Sequence, residues 1–237
     1  DYTGLADNEN GRFYIEDGKV NFDFTGIIQD GDNLVYIENS KVRYDYTGIK
    51  QYYNEWLYIK NGVVDYSYTG IAENENGWWR VENGVVNFDY TGLADNENGR
   101  FYIEDGRVNF DFTGIMQDGD NLVYIEKSTV RYDYTGIKQY YNEWLYIKNG
   151  VVDYSYTGIA ENENGWWRVE GGKVNFNYNG LADNENGRFY IVNGRVNFDY
   201  TDVIQDGADW VYIENSKVRY DYTGIRHNQN GWWRIES

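Results

Sequence analysis

The side chains able to do chemistry in this sequence are carboxylates, amides, arginines and aromatic rings, and they recur instead of converging. Acidic pairs lie in every stretch of the 237 residues, yet each pair returns 22 residues later, whereas a reaction centre needs one constellation held in a singular pocket. No Ser/His/Asp set can be argued from His227, the sole histidine, and no glycine-rich phosphate loop follows a strand-like segment. The residues exclude an enzyme and imply no cofactor. Segments such as D-N-E-N-G at 7–11, E-N-E-N-G at 73–77 and Q-D-G-D-N at 29–33 offer the hard oxygen ligands that calcium prefers. They lack the EF-hand spacing and are ordinary turn formers, so no metal ligand is assigned.

Rings and arginines remain. With 26 Tyr, 9 Trp and 10 Phe, 19% of the chain is aromatic, far too much for a disordered acidic tail. Absence of cysteine rules out disulfide and thiolate-metal frameworks. A net charge of −18 repels phosphate backbones and anionic lipid, so neither nucleic acid nor an inserted membrane is an expected partner. No apolar run reaches the length of a spanning helix.

The elements that must position these rings are repeats. A glycine following Tyr-Thr or a close variant stands at Gly4, Gly26, Gly48, Gly70, Gly92, Gly114, Gly136, Gly158, Gly180 and Gly224, with Asp202 in the one missing place. The period is 22 without insertion. Residues 1–88 match 89–176 at all but six positions, so four-unit blocks occupy 1–88 and 89–176 and a partial block fills 177–237. The organisation expected is one continuous array of about eleven units over residues 1–237, a fragment of a larger surface protein.

Within a unit, R-F-Y-I-E, then Asp17-Gly18, then K-V-N-F-D-F reads as two strands about a type I′ turn. Asn39-Ser40, Lys127-Ser128 and Asn215-Ser216 are weaker turn formers in the same place. Continuing that hairpin sets Ile15 opposite Val20 and Phe13 opposite Phe22 on one face, with Arg12 opposite Asp23 and Tyr14 opposite Asn21 on the other. The first face is apolar throughout. Its third slot is Phe22, Tyr44, Tyr66 and Phe88, and Leu5, Ile27, Ile49 and Ile71 add an apolar anchor after each glycine. A single hairpin is marginal in water, so units must stack, and the fold class expected is all-β, a β-solenoid of tandem 22-residue hairpins.

The second face carries the candidate site residues: Trp56, Tyr58, Trp78, Arg80, Trp144, Tyr146, Trp166, Arg168, Trp210 and Trp232. Flat rings beside Asp, Asn and Arg suit sugars, whose C–H faces lie against a ring while hydroxyls take directional hydrogen bonds. Rings on this face can equally be packing. Trp79, Trp167 and Trp233 fall on the inner face and are expected to be buried, while the six other tryptophans are expected at solvent or in shallow grooves between hairpins.

The Thr-Gly, the N-G-W-W-R-V stretch around Gly77 to Val81, Asn83-Gly84 and the return at Tyr90-Thr91-Gly92 resemble the cell-wall-binding repeats of Gram-positive bacteria. That superfamily includes choline-binding and glucan-binding repeats and the repeat regions of large clostridial toxins. The resemblance covers the whole chain. It implies a non-catalytic solenoid of hairpins at the cell surface or outside the cell, with ligand sites between consecutive hairpins. Choline-binding repeats usually place a tryptophan after the Thr-Gly, where this chain has Leu5, Ile27, Ile49 or Ile71. The expected partner is therefore a glycan or cell-wall polymer held by several equivalent sites, and the alternative is a spacer that displays another domain.

Overall fold

A computed structural model describes residues 1–236. These fall into two compact units: Asp1–Phe112 together with Lys127–Val130, and Thr113–Glu126 together with the chain from Arg131 onward. Every regular element among the described residues is a β-strand.

The first repeat sets the pattern. Strand β1, Gly4–Asn8, pairs antiparallel with β2, Gly11–Glu16, and β2 then pairs with the two-residue β3, Lys19–Val20. Asn8, Glu9, Asn10 and Gly11 close the first turn, where the Asn8 carboxamide oxygen accepts the Asn10 N–H at 2.8 Å. Asp17 and Gly18 close the second with φ of 47° and 79°, as a type I′ turn requires. The expected register survives for two rungs, Ile15↔Val20 and Glu16↔Lys19.

Beyond Val20 the expected hairpin is corrected. Asn21 accepts the Asp23 N–H through its side chain, bends the chain and ends the ladder. Phe13 pairs with Ala6 within its hairpin and with Lys41 of the following repeat, Arg12 with Asp7 and Tyr14 with Leu5. The dominant hairpin of each repeat is thus the one closed at the D-N-E-N-G turn or its counterpart, ahead of the Asp-Gly turn or its counterpart. Two burial expectations reverse with it. The third apolar slot points outward, with Phe22 67%, Tyr44 54%, Tyr66 52% and Phe88 46% exposed, whereas Tyr36, Tyr58, Tyr102 and Tyr124 are buried.

Packing follows from the pairing. In the first unit Ile27 and Tyr36 of one repeat pack on Leu57, Ile59 and Val64 of the next, and in the second unit Ile115 and Tyr124 pack on Leu145, Ile147 and Val152. One backbone bridge joins successive repeats: Tyr36 N–H donates to the Gly62 carbonyl and Tyr58 N–H to Gly84, each at 2.8 Å, with Tyr124 and Tyr146 repeating this in the second unit. Burial of the apolar slots supplies the driving force, and the bridge fixes the register.

The Tyr-Thr-Gly signature has a physical reading. Tyr68 donates its hydroxyl to the Ile71 carbonyl at 2.7 Å, and Thr69 Oγ1 accepts the N–H of Asn83, fourteen residues on, at 3.0 Å. Glycine leaves room for the ring, since a Cβ at Gly70 would meet the Tyr68 hydroxyl at 2.9 Å. Where the turn glycine becomes serine, Ser40 keeps the left-handed φ of 67° and, fully buried, donates its hydroxyl to the Tyr14 carbonyl at 2.9 Å. The weaker turn is held by a hydrogen bond that glycine lacks.

Candidate functional site

Two kinds of ring cleft form where one repeat packs on the next. The first kind joins the second-strand residue at the place of Arg12 to rings of the following repeat. In the first unit Trp56 and Trp79 pack against one core cluster, and the Trp79 ring stands edge-on to Phe88 at 5.5 Å between centroids. The second unit repeats this with Trp144, Trp167 and Phe176. One repeat further on, Trp78 lies edge-on to Phe101 at 5.3 Å and Phe110 at 5.5 Å, and Trp166 meets Phe189 and Phe198 at 5.2 and 5.4 Å.

Three of these rings, Trp79, Trp167 and Phe189, are covered by a cation of the chain itself. Arg107 lies over Trp79 at 5.5 Å and donates to the Asn76 carbonyl at 2.6 Å; Arg195 does the same over Trp167, donating to Asn164. Lys217 lies 5.9 Å from the centre of Phe189. The covering chain crosses a glycine, because a Cβ at Gly77 would come within 2.8 Å of Arg107 and one at Gly187 within 2.7 Å of Lys217. At Gly99, beside Phe101, an added Cβ would meet only the Phe101 ring, at 3.8 Å, because the covering position is Thr129. Among the described residues no cation lies over Phe101, so the Trp78–Phe101–Phe110 cleft is open where its Trp166 counterpart is covered. Beside Trp56, Trp79 and Phe88 a cavity of about 250 Å³ remains, shared with Asn74, Asn76 and Arg107.

The second kind of cleft stacks the second-strand tyrosine on the tyrosine of the Tyr-Thr-Gly signature. Tyr58 lies on Tyr68 and Tyr146 on Tyr156, both at 3.9 Å. Burial is the main cause that raises the pKa of all four hydroxyls. Arg80 and Arg168 take the second-strand place in other repeats and stand over Tyr90 and Tyr178 at 4.9 Å. Two grooves adjoin the stacked pairs, about 510 Å³ beside Tyr58, Tyr68, Trp78 and Glu97, and about 590 Å³ beside Tyr146, Tyr156, Trp166 and Glu185.

The candidate residues therefore divide. Trp56, Trp78, Trp144, Trp166 and Trp210 are half-buried in clefts between hairpins, and Trp232 is exposed. Tyr58 and Tyr146 sit in the core rather than on an open face, and Arg80 and Arg168 are half-buried and paired with Glu82 and Glu170. Trp79, Trp167 and Trp233 are half-buried rather than fully buried, because their faces reach the same clefts, and each indole N–H is satisfied by Asn74, Asn162 or Asn228. Trp210 and Trp233 stack directly at 4.1 Å. Sequence reasoning missed Phe88, Phe101, Phe110 and their copies as cleft walls, and missed Arg107, Arg195 and Lys217 as covers. A signal existed in the alternation of Lys, Arg, Val and Thr at a single repeat position. Among the described residues no group of three or more His, Cys, Asp or Glu side chains is placed to hold a metal ion, and no helix is long and apolar enough to cross a membrane.

Comparison with known proteins gives no curated protein that matches the chain. Three solved structures of Streptococcus pneumoniae proteins are similar over nearly its whole length. CbpJ of strain TIGR4 is 16% identical with a TM-score of 0.33, covering 98% of this chain and 91% of its own. Choline binding protein F is 15% identical with a TM-score of 0.30, covering 97% and 89%. CbpF in complex with ipratropium is 14% identical with a TM-score of 0.33, covering 99% of each chain. The model of the choline-binding repeat matches residues 1–21, 45–65, 67–87, 89–109, 133–153, 155–175, 177–197, 199–219 and 221–237. The gaps at 22–44 and 110–132 contain Leu34 and Leu122, the two repeats whose second strand carries neither arginine nor tryptophan at the cleft position. With most of its length matched in successive repeats, this chain belongs to the choline-binding repeat family.

Proposed function

We propose that the chain is a non-catalytic module that docks a choline-bearing cell-wall polymer, sugars included, at ring clefts between consecutive repeats, on a bacterial surface or outside the cell. The observation that carries the reading is the Trp78–Phe101–Phe110 cleft. Its three rings match those of the Trp166 cleft, where Lys217 lies against Phe189, so the chain's own side chain indicates what such a ring face attracts, and at Thr129 that place is left to a ligand. A quaternary ammonium gains there from the ring quadrupoles, and the net charge of −18 raises the local concentration of cations. Stacked within each unit as a short β-solenoid, the repeats hold this open cleft, and equal clefts in further copies of the block would act together on a polymer.

Titration of tryptophan fluorescence with choline, and separately with wall glycan fragments, tests the proposal. Choline should quench the wild type and leave Trp78→Ala unresponsive. A second reading, a spacer with no ligand, is favoured by Arg12, which is tied to Asp7 and Asp30 across the same position and so serves packing alone. Absence of any response to choline or glycan would leave that reading standing.

A further inference from the structure

In the first unit the Tyr36–Tyr46 pair is covered by Lys50, whose Nζ lies 5.6 and 5.3 Å from the two ring centres and 3.7 Å from Glu75. In the second unit Lys138 stands 5.4 and 5.2 Å over Tyr124 and Tyr134, again 3.7 Å from a carboxylate, Glu163. Two rings and one glutamate thus form a cradle for an ammonium group. Arg226 takes the same post over Tyr212 and Tyr222, at 4.8 and 4.2 Å.

One repeat further along, the cradle recurs and its cation is missing. Tyr58, Tyr68 and Glu97 stand where Tyr36, Tyr46 and Glu75 stood, but Ala72 replaces Lys50; Tyr146, Tyr156 and Glu185 recur with Ala160 in place of Lys138. These are the two places where grooves of about 510 and 590 Å³ open, with Glu73 and Asp95, or Glu161 and Asp183, also on their walls. Other pairs are filled. At the Tyr14–Phe24 pair the place of Lys50 is taken by Ile28, which packs on the same core cluster as the two rings, and where alanine recurs at Ala94 and Ala182 the preceding repeats supply Arg80 and Arg168 over Tyr90 and Tyr178.

We infer that the Tyr58–Tyr68–Glu97 and Tyr146–Tyr156–Glu185 cradles are two further binding sites, each taking the primary alkylammonium group of a ligand in the place that Lys50 and Lys138 fill elsewhere. The chemistry is that of the filled cradles: an ammonium against ring faces, neutralised by one carboxylate. The sites differ from the tryptophan clefts in both rings and cation, although Trp78 and Trp166 border the grooves, and they stand whether or not choline binds.

The test follows tyrosine-ring NMR shifts during titration with n-butylammonium chloride at low salt, with neutral n-butanol as the isostere. The wild type should show two equivalent saturable sites for the amine and none for the alcohol. Ala72→Arg with Ala160→Arg fills both cradles, a geometry that Arg226 already adopts opposite Trp233, and should abolish the response. Lys50→Ala with Lys138→Ala should raise the sites from two to four. Should the arginine variant not fold, Glu97→Gln with Glu185→Gln takes its place and should weaken binding about tenfold. Equal binding of butanol, or an undiminished amine response in the filled variant, overturns the inference. Glucosamine and Nα-acetyllysine amide as further titrants separate an amino sugar from a lysine side chain as the source of the ammonium. Phe110→Ala removes a wall of the choline cleft that borders neither groove, so it should weaken choline binding and spare the amine response, and loss of one proposal is distinguishable from loss of the other.

Discussion

The Trp78 cleft of the first unit and the Trp166 cleft of the second are built from the same rings at nearly the same spacing, 5.3 and 5.5 Å against 5.2 and 5.4 Å. What differs is the residue arriving from the following repeat. Lys217 lies against Phe189, whereas Thr129 is too short to reach the Phe101 ring across Gly99. Near-identical repeats therefore need not provide identical sites, because each cleft is completed by a side chain more than one repeat away in sequence. Lys41, the residue matching Thr129 in the first block, lies over Phe13, so even within the first unit one substitution separates a covered ring from an open one.

The equivalence of the two clefts is tested most severely at their base. Phe101 and Phe189 are both 5% exposed, and Phe101→Ala or Phe189→Ala should each lose about 3–5 kcal/mol in urea unfolding, as large core truncations do. A loss at Phe101 far below that at Phe189 would mean that the clefts are packed differently. Exchanging the covers should move function without moving stability much. Thr129→Lys should weaken choline binding at the Trp78 cleft about tenfold, and Lys217→Thr should create a matching response at Trp166 that Trp166→Ala removes, each read by fluorescence titration.

Alkaline pH should act on both units alike. Tyr46 in the first and Tyr134 in the second have hydroxyls pushed up to about 12, chiefly by burial and then by a neighbouring tyrosine and glutamate. A phenol whose pKa is raised on folding keeps its full contribution below the unfolded value near 10 and loses it as pH rises toward 12. Melting temperatures should hold to about pH 9.5 and fall together between pH 10 and 12; a transition splitting by unit would break the symmetry. Smallest of all, Ser40→Ala in the first unit and Ser216→Ala in the second remove hydroxyls donated to Tyr14 and Tyr190 and should each cost about 1 kcal/mol, while glycine at either place should recover part of it by relieving the left-handed φ.

The all-β class, the 22-residue period and the Ile15↔Val20 pairing were legible because Asp-Gly and Asn-Gly leave little choice of turn. The first strand was not. Leu5-Ala6-Asp7-Asn8 has neither alternation nor β-branching, and it becomes a strand only because Gly11–Glu16 folds back on it. Extending the second hairpin past Val20 then inverted the tyrosine and phenylalanine slots, an error that Asn21 and its copies Asp65 and Asn87 flag as residues able to bend the chain through their own side chains. The tryptophans could be placed near clefts from sequence. Their covers could not, because the step that brings Arg107 over Trp79 depends on which strand of the next repeat crosses Gly77, a matter of tertiary register.

The ion pair at Arg12 constrains how the gene can change length. Arg12 is held between Asp7 of its own repeat and Asp30 of the next. Excising residues 23–44 would bring Tyr52 to the place of Asp30 and leave the guanidinium without its second carboxylate, whereas a step of 88 residues brings Asp118 there and restores it. Removal of the single repeat after Arg12 thus loses one ion pair that removal of a whole 88-residue block keeps.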